Sequence, residues 1–197
     1  MPTAAAARVA AVIPTWNRRD LLATLLRNLA EQARPFEEII VVDNGSEDDS
    51  AELAAAAGAR VLKMGRNLGF AAAVNRGIEA ADTEWVAVLN NDVTLKPDWL
   101  AKLLEAASQE DTWFATGKIL QAGNHQLVDG TFDEISRGGC ASRCGSGKPD
   151  GPAWNQMRHI RVAPMTAAIA PLAPRQGTRA NGSPRIWHIM ATTPPLR

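Results

Sequence analysis

Trp85-Val86-Ala87-Val88-Leu89-Asn90-Asn91-Asp92 joins a short apolar run to three consecutive polar side chains. A short run of this kind, without alternation, suits a strand covered on both faces, as in a parallel sheet. Polar groups that directly follow such a strand must find partners or water. The same pattern stands twice upstream: Arg8 to Ile13 leads into Pro14-Thr15-Trp16-Asn17, and Glu38 to Val42 leads into Asp43-Asn44-Gly45-Ser46. If the three runs are neighbouring parallel strands, their polar clusters open at one edge of one sheet. In open α/β sheets ligands bind outside the carboxyl ends of the strands. The first half of the chain therefore carries a candidate site.

Helical patterns separate these strands. Pro14 is expected to end the first strand, and Asn17 with Asp20 three residues later resembles a helix-starting pair. Leu21, Leu22, Leu25, Leu26 and Leu29 then share one helical face, and Pro35 closes the helix. Ser46 and Asp49 repeat the cap spacing before an Ala-rich helix that stops at Gly58. Val61 and Leu62 give a third strand. Asn67 is expected to cap the next helix, with Phe70, Val74 and Ile78 facing inward. Pro97 suits the first turn of a fourth helix, in which Trp99, Leu100, Leu103 and Leu104 form the buried stripe. Strand and helix thus alternate to about residue 108, which predicts an α/β fold of Rossmann-like type, with a mostly parallel sheet flanked by helices and right-handed crossovers.

Beyond residue 108 the pattern weakens. Residues 112–120 read as a strand, 129–151 as a Gly-rich loop region and 159–162 as a short strand. From Ile169 onward stand five of the twelve prolines, with no lysine, acid or hydrophobic period, so residues 169–197 are expected to form an irregular, disordered basic extension. The expected organisation is an α/β domain over 1–120, a second region over 121–168, and the C-terminal extension over 169–197.

With 197 residues, 46% of them hydrophobic and 21% charged, the chain has the composition of an ordinary globular domain. No apolar run approaches the roughly 20 residues of a membrane helix, and the start shows no secretory pattern, so a cytoplasmic location is expected. The zero formal charge conceals an imbalance: residues 151–197 hold six arginines and no acid or lysine. A solvated end is the plain explanation. A phosphate or acidic membrane surface is the functional one, which leaves peripheral contact with the inner face of the membrane open. Cys140 and Cys144 cannot make a disulfide framework, and with three histidines they are a thin basis for a zinc site.

A binder of a nucleoside diphosphate needs donors near a helix start, a carboxylate for ribose or base, and a hard carboxylate ligand for Mg2+ or Mn2+. Asp43, at the end of a strand, suits the ribose or base; as part of Asp-Asn-Gly-Ser it equally suits a turn. Asp92 is the carboxylate best placed to meet a cation, or else part of a capped turn leading to Pro97. Gly69 and Ala71 permit close approach to a helix start flanked by Asn67 and Asn75, although a packed helix with a polar side explains them too. Neither a dinucleotide fingerprint, a phosphate loop nor a nucleophile elbow is present, and the lack of tyrosine disfavours nucleic-acid stacking, so nucleic acid is not an expected partner.

Taken together, Val12-Ile13-Pro14-Thr15-Trp16-Asn17-Arg18, Val41-Val42-Asp43-Asn44-Gly45-Ser46, Asn67-Leu68-Gly69-Phe70 through Asn75-Arg76-Gly77, and Leu89-Asn90-Asn91-Asp92 resemble the family 2 glycosyltransferases of GT-A fold, in particular their rhamnosyltransferase-like members. The ordered set covers residues 8 to about 120. The resemblance implies that Pro14, Thr15 and Asn17 line a nucleotide pocket, that Asp43 binds the base, and that Asn67 and Gly69 flank the donor. Asn90 and Asn91 would belong to a variant Asp-x-Asp motif whose retained carboxylate, Asp92, meets Mg2+ or Mn2+. Trp16 stands where the family usually has tyrosine. The implied reaction moves a sugar from a UDP- or dTDP-linked donor to a saccharide or lipid-linked acceptor, with inversion, in polysaccharide or glycoconjugate biosynthesis.

The family's general base is expected in an acidic pair well after the metal motif, and this chain has no acid after Asp150. Asp129, Asp133, Glu134 and Asp150 are the remaining later acids, and none has matching surroundings. Residues 154–168 still resemble the family and 169–197 do not, which suggests a reading frame lost near Ala168 and a truncated acceptor side. Two other readings stay open: a nucleotide-diphosphate-binding module without catalysis, and a scaffold whose basic tail engages anionic surfaces.

Overall fold

The computed structural model describes residues 7–109, 112–135, 137, 140–160 and 167–172. Strand β1 (Val9–Thr15) is followed by α1 (Arg19–Ala30), β2 (Glu38–Asp43), α2 (Ser50–Ala56), β3 (Arg60–Lys63), α3 (Phe70–Ala80), β4 (Trp85–Leu89) and α4 (Trp99–Ala107). Short strands β5 (Ala115–Thr116), β6 (Ile119–Gln121), β7 (Asn124–Gly130), β8 (Asp133–Ile135) and β9 (Ala141–Arg143) come next, then a 3-10 turn at Pro152–Trp154 and β10 (Ala167–Pro171).

The main sheet has the order β3-β2-β1-β4-β10-β5. β1, β2, β3 and β4 run parallel, as the alternation of strands and helices predicts. β10 runs against both its neighbours, starting at Ala167 beside Leu89 and ending at Pro171 beside Trp85. Because side chains alternate across a strand, β1 divides its residues between two cores. Val9, Ala11 and Ile13 pack with Leu22, Leu25 and Leu29 of α1, Ala54 of α2 and Leu100 and Leu104 of α4. Ala10 and Val12 pack on the opposite face with Ile40, Val42 and Ala73. There α3 lies close: a Cβ on Gly77 would stand 2.3 Å from Val12 Cγ1. Only the bare backbone of glycine allows that approach.

Several details depart from the sequence expectation. Pro14 does not end β1, which continues to Thr15 opposite Asp43. The last β1–β4 pair is Val12 with Val88, so Pro14 sits where the strand has a neighbour on one side only, a setting that tolerates proline. Neither Asn17 nor Ser46 caps a helix; α1 and α2 start after Arg18 and Asp49, without a side-chain cap from those residues. α3 starts after Gly69 rather than Asn67. Leu21 and Phe70, expected inward, are 39% and 42% exposed.

The expected strand over 112–120 is broken into β5 and β6 at Gly117, and the supposed loop region over 129–151 contains the β8–β9 hairpin. His159 and Ile160 form no strand, and residues 161–162 lie outside the described residues. The expected boundary at 168/169 falls inside β10, where Ile169 is fully buried in the core. Residues 169–171 therefore go with the sheet. Residues 173–197, the rest of the expected extension, lie outside the described residues.

Candidate active site at the carboxyl edge of the sheet

Thr15, Asp43 and the Asn90-Asn91-Asp92 cluster stand at or just past the carboxyl ends of β1, β2 and β4, which are adjacent and parallel. Side chains tie these ends together. Asn91 donates from Nδ2 to Thr15 Oγ1 at 3.0 Å, and the Asn44 amide donates to the Thr15 carbonyl at 2.9 Å. Asp43, 5% exposed, accepts the Ser46 amide through Oδ1 at 3.1 Å, so one carboxylate oxygen closes the turn after β2. The turn-former and site readings of Asp43 thus concern different oxygens of one carboxylate.

Asn17 adopts a left-handed φ of 51°. Its amide donates to Ser46 Oγ at 3.0 Å and its Oδ1 accepts the Glu47 amide at 2.7 Å. The side chain braces the loop after β1 against the loop after β2. Asp48 extends the brace by accepting the Arg19 amide at the start of α1 and the Ser50 amide at the start of α2, both at 3.1 Å. Burial pushes the Asp48 carboxyl up, but hydrogen bonds from Ser50 and the Arg19 amide outweigh it and hold the group below its usual range. Pro14 is buried within β1, and Trp16 beside it is 51% exposed at the rim.

Asn44, absent from the sequence-based set of site residues, is the most connected side chain of this edge. Asn67 Oδ1 accepts from Asn44 Nδ2 at 3.0 Å and from the Gly69 amide at 2.9 Å, which spends the carbonyl oxygen of Asn67 within the protein. Gly69 holds a φ of 89° at the start of α3. The signal for Asn44 lay in the turn-rich string Asp43 to Ser46, where each residue also has a local explanation.

Asp92 is exposed at the rim. Among the described residues no group of three or more His, Cys, Asp or Glu could hold a metal ion. The donor set near Asp92 consists of oxygens instead: Asn90 Oδ1 is buried and has no hydrogen-bond partner among the described residues. An unpaired amide oxygen two residues before an exposed carboxylate is a hard-donor set of the kind a cation takes together with ligands from a diphosphate and water.

The later acids stand elsewhere. Asp129 pairs with Arg143 at 2.8 Å. Asp150 pairs with Lys118, and that hydrogen bond lowers its carboxyl below the ordinary range, the wrong direction for a base at neutral pH. A second concavity, a cleft of about 340 Å3, runs beside β5 and includes Trp113, Phe132, Trp154 and Met157, with the Arg158 guanidinium 5.7 Å from the centre of the Phe132 ring.

Comparison with known proteins gives the family of the chain. Residues 10–144 match the family Glycosyl transferase family 2. The chain belongs to that family. ExoO of Rhizobium meliloti, a succinoglycan biosynthesis protein, is 34% identical over 111 residues, covering 55% of this chain and 32% of its own length. Undecaprenyl-phosphate 4-deoxy-4-formamido-L-arabinose transferase of Aeromonas hydrophila is 30% identical over 158 residues, covering 68% of this chain and 48% of its own. The chain thus spans half or less of the length of these relatives.

Among solved structures, the Pyrobaculum calidifontis mannosyltransferase PcManGT, in complex with GDP-Man and Mn2+, superposes with a TM-score of 0.55 at 21% identity, over 61% of this chain and 39% of that one. TarS of S. aureus in complex with UDP gives 0.54 at 21% identity, over 59% and 37%. These likenesses establish the GT-A fold of the family 2 enzymes.

Proposed function

We propose that the chain transfers a sugar from a nucleoside-diphosphate sugar to an acceptor hydroxyl, in the assembly of a polysaccharide or glycoconjugate. The observation that carries this reading is the gathering of Thr15, Asp43 and Asn90–Asp92 on three adjacent strand ends, with a buried Asn90 oxygen left without a hydrogen-bond partner among the described residues. Asp43 and the Thr15–Asn91 pair would bound the nucleoside, while Asn67 and Gly69 would flank the sugar side. Asp92, with Asn90, would hold Mg2+ or Mn2+. The ion supplies charge neutralisation to the departing diphosphate.

The acceptor oxygen would bond to the anomeric carbon as the bond to diphosphate breaks on the opposite face, giving inversion through an oxocarbenium-like transition state, while the acceptor's proton passes to a base. Lys118 already engages Asp150, and we assign the base to none of the four later acids. The donor would be UDP- or dTDP-linked, with the rhamnosyltransferase-like members as the nearest pattern. Two of the solved structures of like fold are complexes with GDP-Man or UDP, which supports a nucleotide-linked donor. A saccharide or lipid-linked acceptor would approach along the aromatic cleft beside β5; aromatic walls with a few polar groups are usual for such sites. The undecaprenyl-phosphate substrate in one relative's name supports a lipid-linked acceptor. No helix among the described residues is long and apolar enough to cross a membrane, and we place the chain in the cytoplasm or peripherally at the inner membrane face.

A binding module without catalysis is the second reading, favoured by the ion pairs that occupy two of the later acids, Asp129 with Arg143 and Asp150 with Lys118. Translation of the other two frames of the coding DNA beyond Leu172 would reveal whether a family-like acidic continuation exists; two basic or broken translations would reject the truncation idea. For the function itself, calorimetry with UDP, dTDP and GDP, each with and without Mn2+, should show metal-dependent binding that Asp92→Ala weakens about tenfold or more. Release of sugar from the matching donor then separates transferase from binding module. Nucleotide affinity indifferent to both Mn2+ and Asp92→Ala would sink the proposed site.

A further inference from the structure

Residues 66–69 carry Asn67 and Gly69, which the preceding section sets beside the donor. Gly65 to Phe70 are all exposed, with Leu68 at 44% and Phe70 at 42%. The connection of this loop to the body is the side chain of Asn44, itself 5% exposed. Asn44 Oδ1 accepts the Leu68 amide at 2.9 Å, and Nδ2 donates to Asn67 Oδ1 at 3.0 Å and to the Gly69 carbonyl at 3.2 Å. The partners fix which way the carboxamide points: a backbone N–H demands the oxygen and a backbone carbonyl demands the nitrogen.

Next to it the two loops touch directly. A Cβ on Gly45, whose φ is +82°, would lie 2.6 Å from Arg66 Cα, so only glycine permits this contact without displacement. Only a side chain with one acceptor and two donors satisfies all three partners. Aspartate at this position would keep the Leu68 bond but would set a negative charge against two oxygens, one on Asn67 and one on Gly69. The interaction is therefore specific to asparagine and holds a loop that contributes little to the core.

We infer that Asn44 is a positioning residue for donor binding: through Leu68, Asn67 and Gly69 it holds residues 66–69 where they wall the nucleoside-diphosphate crevice. The inference rests on the crevice assignment of the preceding section. Three readouts on the full chain, for wild type, Asn44→Ala and Asn44→Asp, test it. Trypsin cleavage after Arg66, with no ligand present, should become about tenfold faster in both variants. Affinity for the best of UDP, dTDP and GDP with Mn2+ should fall about tenfold, while the melting temperature drops by no more than about 5 °C. Adding Asn67→Ala to Asn44→Ala should weaken affinity by less than the two single losses combined, since the two share the Asn44–Asn67 bond.

Unchanged cleavage after Arg66 overturns the inference. So does unchanged affinity in a variant whose melting temperature has fallen, which would make Asn44 a fold residue only. A wild-type chain that binds none of the three nucleotides removes the crevice assignment, and the positioning role with it, even where the cleavage data show that Asn44 holds the loop.

Discussion

The four parallel strands and the segment from residue 117 to 160 hold their structure by different means. In the parallel part, apolar residues of β1 are sorted to two cores and the loops are braced by Asn17, Asn44, Asp48 and Asn91 to main-chain amides, carbonyls or hydroxyls of other elements. The later segment consists of the two-stranded pairs β6–β7 and β8–β9, with ion pairs such as Arg143–Asp129 on its surface. Of its larger apolar groups Met157 is 66% exposed and Phe132 and Trp154 are half-buried, while Val128 is fully buried. The first region is built to hold polar groups still at a strand edge. The second presents side chains without much core of its own.

The sharpest way to break this contrast is at Ile169, which belongs by position to the later chain and by burial to the sheet. Ile169→Asp should prevent stable folding, and Ile169→Ala should cost about 2–5 kcal/mol in denaturant unfolding. A cost below about 1 kcal/mol for the alanine variant would return residues 169–171 to the tail. Next in size, Gly77→Ala should cost about 1–3 kcal/mol, since the added methyl would overlap Val12 and the helix must shift.

Asp48→Ala, which removes the acceptor for two helix starts, should cost about 1 kcal/mol near neutral pH. The folded-state pKa of Asp48 is depressed. Its contribution is therefore fully present above the unfolded value near 3.9 and is lost as pH falls through the lower folded value. Melting curves of wild type and Asp48→Ala should accordingly converge in acid; a gap that stays constant would assign the effect to packing. The smallest change is expected in the later region, where Arg143→Ala should alter stability by at most about 1 kcal/mol, an effect that added salt diminishes.

Legibility in the sequence follows the same division. β2 and β4 were readable because buried parallel strands are short apolar runs, and Thr15, Asp43 and Asn90–Asp92 were readable because polar residues next to such runs stand out. Spacing alone points to Asn17, Ser46 and Asn67 as caps. Their partners lie in other loops, and spacing along the chain carries no information about a neighbour 23 to 30 residues away. β10 was missed because Ala167-Ala168-Ile169-Ala170-Pro171 is nearly devoid of β-branched residues; its place comes from the ladders of β4 and β5 on either side. The hairpins were missed because main-chain pairing needs no apolar period.

The reversed direction of β10 gives the segment between Thr116 and Ala167 a particular geometry. Thr116 pairs with Ala168, one step from the Ala167–Leu89 pair, so the segment leaves the sheet and re-enters it at the rim that bears Asn90 to Asp92. Both feet stand on one shore. Such an excursion can lengthen, shorten or change its side chains without shifting a strand of the main sheet, so it is free to diversify while the strand ends that carry Thr15, Asp43 and Asn90 to Asp92 stay as they are.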